Sequence, residues 1–203
     1  MSKNSVQSIR LFKSDFMESL THVHPITPLI FWTPVILWFF NQGLTVDKLS
    51  PAIFLLVAIF ALIVWTFTEY FLHRFVFHFK SNSRAGKYII FLFHGIHHDD
   101  PNDKTRLVMP PVPAVIIVTG LYYIFKFMVP ALWLNTFMGW FLVGYLIYDY
   151  IHYATHHFPM KGKVARYLKK WHIQHHHTKE PVQYGVSNPL WDYIFGTVPK
   201  KRK

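Results

Sequence analysis

The chain has 203 residues, of which 52% are hydrophobic and only 15% are charged, and it contains no cysteine. The length predicts one domain, and the apolar content excludes a disordered or fibrous chain. The lack of cysteine excludes disulfides, thiolate metal sites, iron–sulfur clusters and cysteine nucleophiles. The formal net charge of +11 is by itself compatible with nucleic-acid binding, an anionic membrane surface or a solvated basic face.

Four stretches free of Asp, Glu, Lys and Arg predict membrane-spanning helices, at 25–46, 49–68, 107–125 and 127–148. About 20 apolar residues are needed to cross roughly 30 Å of hydrocarbon. The first stretch is the weakest, because Pro28, Pro34 and the polar run at 41–43 leave room for an interfacial or tilted helix instead. The last two stretches predict a hairpin that bends at 130–135, with Lys126 extending its amine to the interface.

Basic residues indicate how the chain is oriented. Lys and Arg concentrate at the N-terminus, in the segment 73–106 and after His152, whereas the other two connections carry almost none. Positive loops stay cytoplasmic, so both termini and the histidine-rich segments are predicted to face the cytoplasm. Topology and anionic headgroups then account for the positive charge, and we expect no nucleic-acid partner. The first 24 residues are polar and no small-residue cleavage site follows, so we expect no cleaved signal peptide.

Histidine is the unusual residue of the chain: 12 of the 14 lie between His73 and His177 in four clusters. The clusters read HRFVFH, HGIHH, HYATHH and HIQHHH, and each lies at the cytoplasmic end of a predicted span. Residues three or four apart share a helix face. The spacing therefore predicts common metal sites for His152 with His156, for His94 with His97 or His98, and for His172 with His175 or His176.

Other spacings distinguish the histidines that are candidate metal ligands from those that are not. His73 and His78 are five apart and diverge by roughly 140° on an α-helix, so they either serve different metals or frame a helix end. His157 and His177 are turned about 100° from the residues before them, and His22 and His24 stand alone, so none of these four is predicted to bind metal. Ten imidazoles exceed the four ligands of a tetrahedral ion, which favours two metals with about five nitrogens each. Scattered core histidines or a purification tag are the weaker explanation.

Carboxylates lie one turn before two of these clusters. Asp149 precedes His152, and Glu69 precedes His73. Either can orient an imidazole by accepting its N–H, and Asp149 fits equally well as a helix-end carboxylate in the headgroup region.

The sequence around the histidines resembles the fatty acid hydroxylase and sterol desaturase superfamily, and within it the fatty acid 2-hydroxylases. The segments that carry the resemblance include HGIHHDDPNDKTRLVMPP, YDYIHYATHH and GVSNPLWDYIFGT. The resemblance covers about 65–197. It implies an all-α bundle of about four transmembrane helices, with a cytosolic helical cap that holds a dimetal site. The metal ligands that it implies are His73, His78, His94, His97, His98, His152, His156, His172, His175 and His176.

The chain departs from many eukaryotic relatives in one respect. The HPGG motif of their N-terminal haem domain is absent, since His24-Pro25 continues as Ile-Thr, so we expect no such domain here. We therefore expect a single domain, 1–203, that takes electrons from a separate donor, such as a cytochrome b-type protein or a ferredoxin.

The implied reaction is oxidation of an aliphatic C–H bond. Such a bond has no leaving group or acidic proton, so it requires an open-shell metal that activates dioxygen. Zinc is redox-inert, so two irons are expected for activity, although zinc can occupy the site in a purified sample. The expected function is 2-hydroxylation of a fatty acid or of the acyl chain of a ceramide-type sphingolipid, with dioxygen as co-substrate. Asp103, Arg106 and Asn188 are candidates for a rim that binds the lipid head, and loop salt bridges or a helix cap explain them equally well.

Two alternatives stay open at this point. The chain can instead hydroxylate or desaturate another lipid, such as carbon 4 of a sphingoid base, a sterol or a carotenoid, or it can be a zinc-binding membrane protein without catalysis. The residues Lys200-Lys201-Arg202-Lys203 fit a dilysine retrieval signal of the endoplasmic reticulum in a eukaryote. In a bacterium they fit a basic tail at the inner membrane.

Overall fold

The computed structural model describes residues 8–178 and 182–199, and these residues form helices and loops without a strand. The tail 200–203 lies outside the described residues. The helices are α1 (Asp15–Ser19), α2 (Thr27–Asn41), α3 (Pro51–Phe71), α4 (Arg84–Ile90), α5 (Ile96–Asp99), α6 (Pro111–Met128), α7 (Ala131–His157), α8 (Lys163–His177) and α9 (Leu190–Ile194). Three segments are wound as π-helix: Gln42–Val46 continues α2, Leu72–Phe77 continues α3, and Phe91–Gly95 joins α4 to α5.

Four of these helical stretches are long and apolar enough to cross a membrane: Thr27–Val46, Pro51–Phe77, Pro111–Met128 and Ala131–His157. The predicted all-α fold with four spans is therefore confirmed. The weak first span is a bundle member, because Trp32, Ile36 and Phe39 are buried and α2 packs along α7. Pro28 lies in its first turn, where a missing N–H costs nothing.

Helix α7 is the centre of the bundle, packed against α2 and α3. Phe137, Met138 and Phe141 are fully buried on it. A close approach to α3 occurs at Gly144, where a Cβ atom would lie 2.6 Å from the Trp65 ring. The outer faces of α2, α3 and α6 expose large apolar side chains such as Leu37, which is the surface expected to face lipid.

Two helices extend beyond the charge-free stretches of the sequence, for one reason. Those stretches end at 68 and 148, because Glu69 and Asp149 follow. Both helices continue to the histidines, since each carboxylate is buried and hydrogen-bonded within the protein rather than exposed to lipid. The carboxylates therefore lie inside the helices that carry His73 and His152.

The bend of the hairpin is also shorter than predicted. It consists of Val129 and Pro130 rather than 130–135, and Asn135 lies within α7, where its side-chain amide donates to Asp47 at 2.9 Å. Proline has no N–H and forces the residue before it to be extended, as Val129 is, so the chain turns at once. The histidine clusters lie at the other end of the bundle, where α3 and α7 end and α6 begins.

Candidate metal centre

Ten imidazoles form two adjacent groups at this end of the bundle. Within each group the candidate ligand atoms all lie within 4.8 Å of one another. The first histidine group consists of His73, His78, His94, His98 and His175. The second histidine group consists of His97, His152, His156, His172 and His176. The groups touch where the rings of His98 and His176 stack, with centroids 4.1 Å apart. All ten residues are those predicted as ligands, divided five and five, and each group can hold a metal ion.

The helical spacing selects between the pairings that the sequence left open. His94 shares a group with His98, and His172 with His176, whereas His97 and His175 each join the opposite group. Residues four apart on an α-helix are nearly aligned, and the residue in between points elsewhere. Helix α8 and the α4–α5 segment therefore each supply both groups, while α7 supplies only the second.

His73 and His78 lie in the same group, so the prediction that they serve different metals is wrong. The segment Leu72–Phe77 between them is π-helical, and the His78 N–H donates to the His73 carbonyl at 3.1 Å. A π-helix bonds residues five apart, which brings them onto one face. The alternative, that the two histidines frame a helix end, agrees with the structure, because this helix ends at His78.

The Nε2 atoms of all ten rings point inward, in contacts of 2.8–3.0 Å between neighbouring rings. In the first group, Nδ1 of His73 lies 2.5 Å from the Tyr184 carbonyl and Nδ1 of His175 lies 2.7 Å from the Val182 carbonyl. A carbonyl only accepts, so each Nδ1 carries the proton and Nε2 presents a lone pair to the centre. Converging lone pairs repel unless a cation lies among them.

The donor set also bears on what each group can hold. Five imidazole nitrogens converge in each group, all within 4.8 Å of one another. Imidazole is a ligand of iron, copper and nickel as well as of zinc, so the residues present fit a redox-active metal.

Burial favours the neutral form of those imidazoles of the two histidine groups that lie outside the spans. Burial, followed by the charge of neighbouring imidazoles, lowers the pKa of His78 to about 3, and the same causes lower the pKa of His98 to about 4. Burial also holds the pKa of His97 and His172 well below the usual value. A neutral imidazole is the form that binds metal, so the groups are ready for cations.

The four other histidines lie outside both groups, as expected. The His157 ring packs at a tilt against Tyr153, at 4.6 Å between centroids, and His177 is exposed at the end of α8. His24 is exposed. His22 differs from the expected isolated ring, because Nδ1 lies 2.6 Å from the Thr105 hydroxyl and Nε2 lies 2.9 Å from the Arg106 guanidinium.

Among the described residues, the two carboxylates before the histidines make their hydrogen bonds to groups other than imidazoles. Asp149 accepts hydrogen bonds from the Tyr145 hydroxyl, at 3.5 Å, and from the Met109 backbone. Glu69 accepts from the backbone N–H groups of Val186 and Ser187, at 2.6 and 2.7 Å. Neither carboxylate is left unpaired, and Glu69 binds the loop that follows α8.

The three candidates for a rim that binds the lipid head, Asp103, Arg106 and Asn188, make contacts within loops. Arg106 is paired with Glu18, and Asp103 accepts from Ser8 and Thr105, so both tie the N-terminal segment to the loop after α5. Asn188 accepts from the Leu190 N–H at 3.1 Å, just before α9, whose N-cap is Pro189. The contacts of Arg106 and Asp103 are loop salt bridges of the kind that the sequence left open, and a role of all three residues in binding a lipid head stays a prediction.

An apolar groove lies between α3, α6 and α7, beside the histidine end of the bundle. Its walls include Ala114, Val118 and Leu121 of α6, facing Trp65 and Tyr145. Phe77 and Tyr148 also line it, and their rings stack on His94 and His152, at 5.4 and 5.8 Å. Through these two aromatic rings the groove adjoins one ring of each histidine group, and its lining is apolar apart from Glu69.

Comparison with known proteins identifies the family. A family model described as fatty acid hydroxylase matches residues 58–197. The chain belongs to the fatty acid hydroxylase family. It is thus a hydroxylating enzyme of the oxidoreductase type, as predicted, and the matched range includes both histidine groups.

Relatives and a solved structure agree with this hydroxylase assignment. A dihydroceramide fatty acyl 2-hydroxylase of Arabidopsis thaliana is 36% identical over 190 residues, which are 94% of this chain and 80% of the relative. The fatty acid 2-hydroxylase of Rattus norvegicus is 33% identical over 94% of this chain, and the chain spans 56% of that protein. The structure of full-length scs7p, with only its hydroxylase domain visible, has a TM-score of 0.85 and 33% identity, and the match covers 92% of this chain and 70% of that one.

Sequence reasoning missed the loop 182–188. Its contributions to the histidines are main-chain carbonyls, which any residue type supplies. The sequence feature that could have drawn attention to this loop is the segment GVSNPLWDYIFGT, which is part of the family resemblance but does not indicate a role for the loop.

Proposed function

We propose that this membrane hydroxylase adds a hydroxyl group to carbon 2 of a fatty acyl chain, either free or in a ceramide-type sphingolipid, using two irons and dioxygen. The observation that carries the proposal is the apolar groove whose lining residues Phe77 and Tyr148 contact one ring of each group of five imidazoles. The relatives named as fatty acid or dihydroceramide 2-hydroxylases support carbon 2 and the lipid class.

The ten imidazoles are the proposed metal ligands. A redox-active pair of metals supplies, when bound, the dioxygen activation that an unactivated C–H bond requires. The chain supplies neutral Nε2 donors, and the carbonyls of Tyr184 and Val182 fix the rings of His73 and His175. Fixing a ring in one tautomer and orientation raises its affinity as a ligand.

The groove is the proposed site of the acyl chain. Its apolar wall excludes water and accepts methylene groups, whereas a carboxyl or amide head would lose its hydrogen bonds there. The head is therefore held outside, at the histidine end, and the first carbons of the chain lie nearest to the imidazoles. This placement favours carbon 2 over a carbon in the middle of the chain, because reactivity depends on which atom is held in position.

The remaining assignments complete the proposal. The chain works as one catalytic domain with its histidine region at 65–197, and it takes electrons from a separate cytochrome b-type protein, ferredoxin or similar donor. Its histidine end faces the cytoplasm, in a bacterial inner membrane or in the endoplasmic reticulum. The basic loops at that end support this orientation.

The test is to load the purified protein with iron without oxygen, then add dioxygen, a reductant and either a free fatty acid or a ceramide. We expect a 2-hydroxyacyl product, located by mass spectrometry. A hydroxyl at another carbon, or on a sphingoid base or sterol, would show that the enzyme acts there and not at carbon 2 of the acyl chain. Absence of any product from protein with two bound irons would favour a non-catalytic metal-binding protein.

A further inference from the structure

The two histidine groups differ in how the outer nitrogens of their rings are held. In the first group, the Tyr184 and Val182 carbonyls accept hydrogen bonds from Nδ1 of His73 and His175. In the second group, Nδ1 of His172 and of His176 is buried and has no hydrogen-bond partner within the described residues. A ring whose outer N–H is held has one tautomer and one orientation, and its other nitrogen is a stronger donor to a metal.

The two carbonyls belong to a loop with an uncommon backbone. Gln183, between them, is fully buried and has a φ of 62°, in the left-handed region that non-glycine residues seldom adopt. Its N–H donates to the Thr197 carbonyl at 2.9 Å. Such a conformation costs roughly 1 kcal/mol or more and persists where surrounding contacts fix it. The relative direction of the two carbonyls depends on this residue.

Two buried carboxylates fix the loop. Asp192 accepts from the N–H groups of Tyr184 and Gly185, both at 2.8 Å. Glu69, from α3, accepts from the next two N–H groups of the loop. A Cβ atom at Gly185 would lie 2.1 Å from the Asn188 carbonyl oxygen, so the loop tolerates no larger residue there. The carboxylates therefore hold a rigid loop against the first group only.

We propose that the loop 182–188 makes the two metal positions unequal, so that the first histidine group binds its ion more tightly, fills first and empties last. Asp192 and Glu69 are positioning residues, which act on His73 and His175 through the loop backbone. The inference rests on the proposed assignment of the ten imidazoles as ligands of two metals. It adds an order of loading and names the residues that cause it.

The experiment measures metal retention rather than activity. The full chain, purified in detergent, is loaded with Zn²⁺ alone and dialysed against increasing chelator, and zinc per chain is measured by mass spectrometry. We expect two steps of release, separated by about 10- to 100-fold in free zinc, the range by which hydrogen-bond partners of metal ligands change affinity. His78→Ala should remove the tight step, and His156→Ala the weak one.

Two sets of variants test the cause. Asp192→Asn should weaken the tight step by about 10- to 100-fold and leave the weak step unchanged. Asp47→Asn, the same change at the far end of the bundle, should alter neither step. Gln183→Gly and Gln183→Val both delete the side-chain amide, but only glycine adopts a positive φ readily. Glycine should therefore keep the tight step and valine should lose it, which decides the matter even if Asp192→Asn does not fold.

Three outcomes would overturn the proposal. They are release of both zinc ions in one step by the unaltered protein, equal weakening of both steps by Asp192→Asn, and equal behaviour of the two Gln183 variants. Binding of fewer than two zinc ions by the unaltered protein would instead contradict the dimetal centre itself.

Discussion

The two ends of the helical bundle contain the same kind of irregular helix and use it differently. At the far end, α2 passes into the π segment Gln42–Val46, where Gly43 lies against Thr136 of α7, and a Cβ atom would be 2.0 Å from the Thr136 hydroxyl. At the histidine end, the π segment Leu72–Phe77 brings His73 and His78 onto one face. A π segment is therefore not by itself a sign of a functional site. Its meaning comes from the side chains that it aligns, a small residue for packing in one case and two imidazoles in the other.

The ends differ further in what they bury. The histidine end buries imidazoles, and it also buries the carboxylates of Glu69, Asp149 and Asp192, each of which accepts hydrogen bonds. The middle and the far end bury aromatic and aliphatic side chains around α7. Changes at the first end should affect metal and chemistry, and changes in the core should affect stability alone.

The largest expected effect is that of His152→Ala, which removes a ligand of the second histidine group. We expect loss of one metal ion and of hydroxylation, by at least about 100-fold, because even partners of ligands change affinity by 10- to 100-fold. Metal analysis and product yield measure this. His157→Ala is the matched control, because His157 lies on the same helix, α7, but outside both histidine groups. Full activity of His152→Ala would contradict the ligand assignment.

A core change should do the opposite. Phe141→Ala deletes a fully buried ring that packs on Trp65 and Phe125, at 5.0 Å between centroids in both pairs. The cavity should destabilise the protein by about 3–5 kcal/mol. Thermal unfolding in detergent should show the loss, while the metal content of the folded protein stays unchanged. If Phe141→Ala lowered metal content without lowering the unfolding temperature, the contrast between core and site would fail.

The groove connects the two regions and should set chain length. Leu121 lies ten residues into α6 from Pro111, about 15 Å along the helix from the histidine end. Leu121→Trp should shorten the groove, so that the yield of the longest hydroxylated chains falls several-fold and that of short chains is kept. A mixture of acyl chains in one reaction, with products separated by mass, measures the ratio. Ile116→Trp, on the exposed face of α6, is the control and should leave the ratio unchanged.

The smallest effect is expected where the N-terminal segment meets the histidine end. Burial raises the pKa of Asp103, but hydrogen bonds from Ser8 and Thr105 and the Arg106 charge outweigh it and hold the pKa below its usual value. A lowered carboxyl pKa stabilises the fold above the ordinary value near 4, and this contribution is lost as pH falls through the lowered pKa.

The contact between Val23 N–H and the Thr105 carbonyl, at 2.8 Å, reports on this cluster. Asp103→Asn should reduce the protection of that amide against hydrogen exchange at pH 7 by about 1.4- to 5-fold, since partly exposed ion pairs contribute about 0.2–1 kcal/mol. Acidification of the unaltered protein toward pH 3 should act in the same direction. The Val129 amide at the far end is the internal control, and an equal change there would remove the link to Asp103.

The sequence allowed prediction of what depends on side-chain chemistry and regular helix geometry. Four spans followed from hydropathy, and the union of His152 with His156 followed from a spacing of four. The joint placement of His73 and His78 could not be predicted in this way, because it depends on a local change from α- to π-winding that hydropathy does not encode. The roles of Val182 and Tyr184 could not be predicted either, since they act through carbonyls. Glu69 was misread because its partners, N–H groups of a loop 117 residues away, are set by tertiary structure.

The π segment after α3 also has a consequence for insertions and deletions in this chain. A π turn is equivalent to one extra residue within an α-helix, so removal of a single residue between His73 and His78 would restore regular winding and keep the helix. The two histidines would then be four apart, the spacing that elsewhere in this chain joins ligands of one group. A shortened chain of this kind can therefore retain a working centre, and an alignment that forces a gap there need not signal loss of the site.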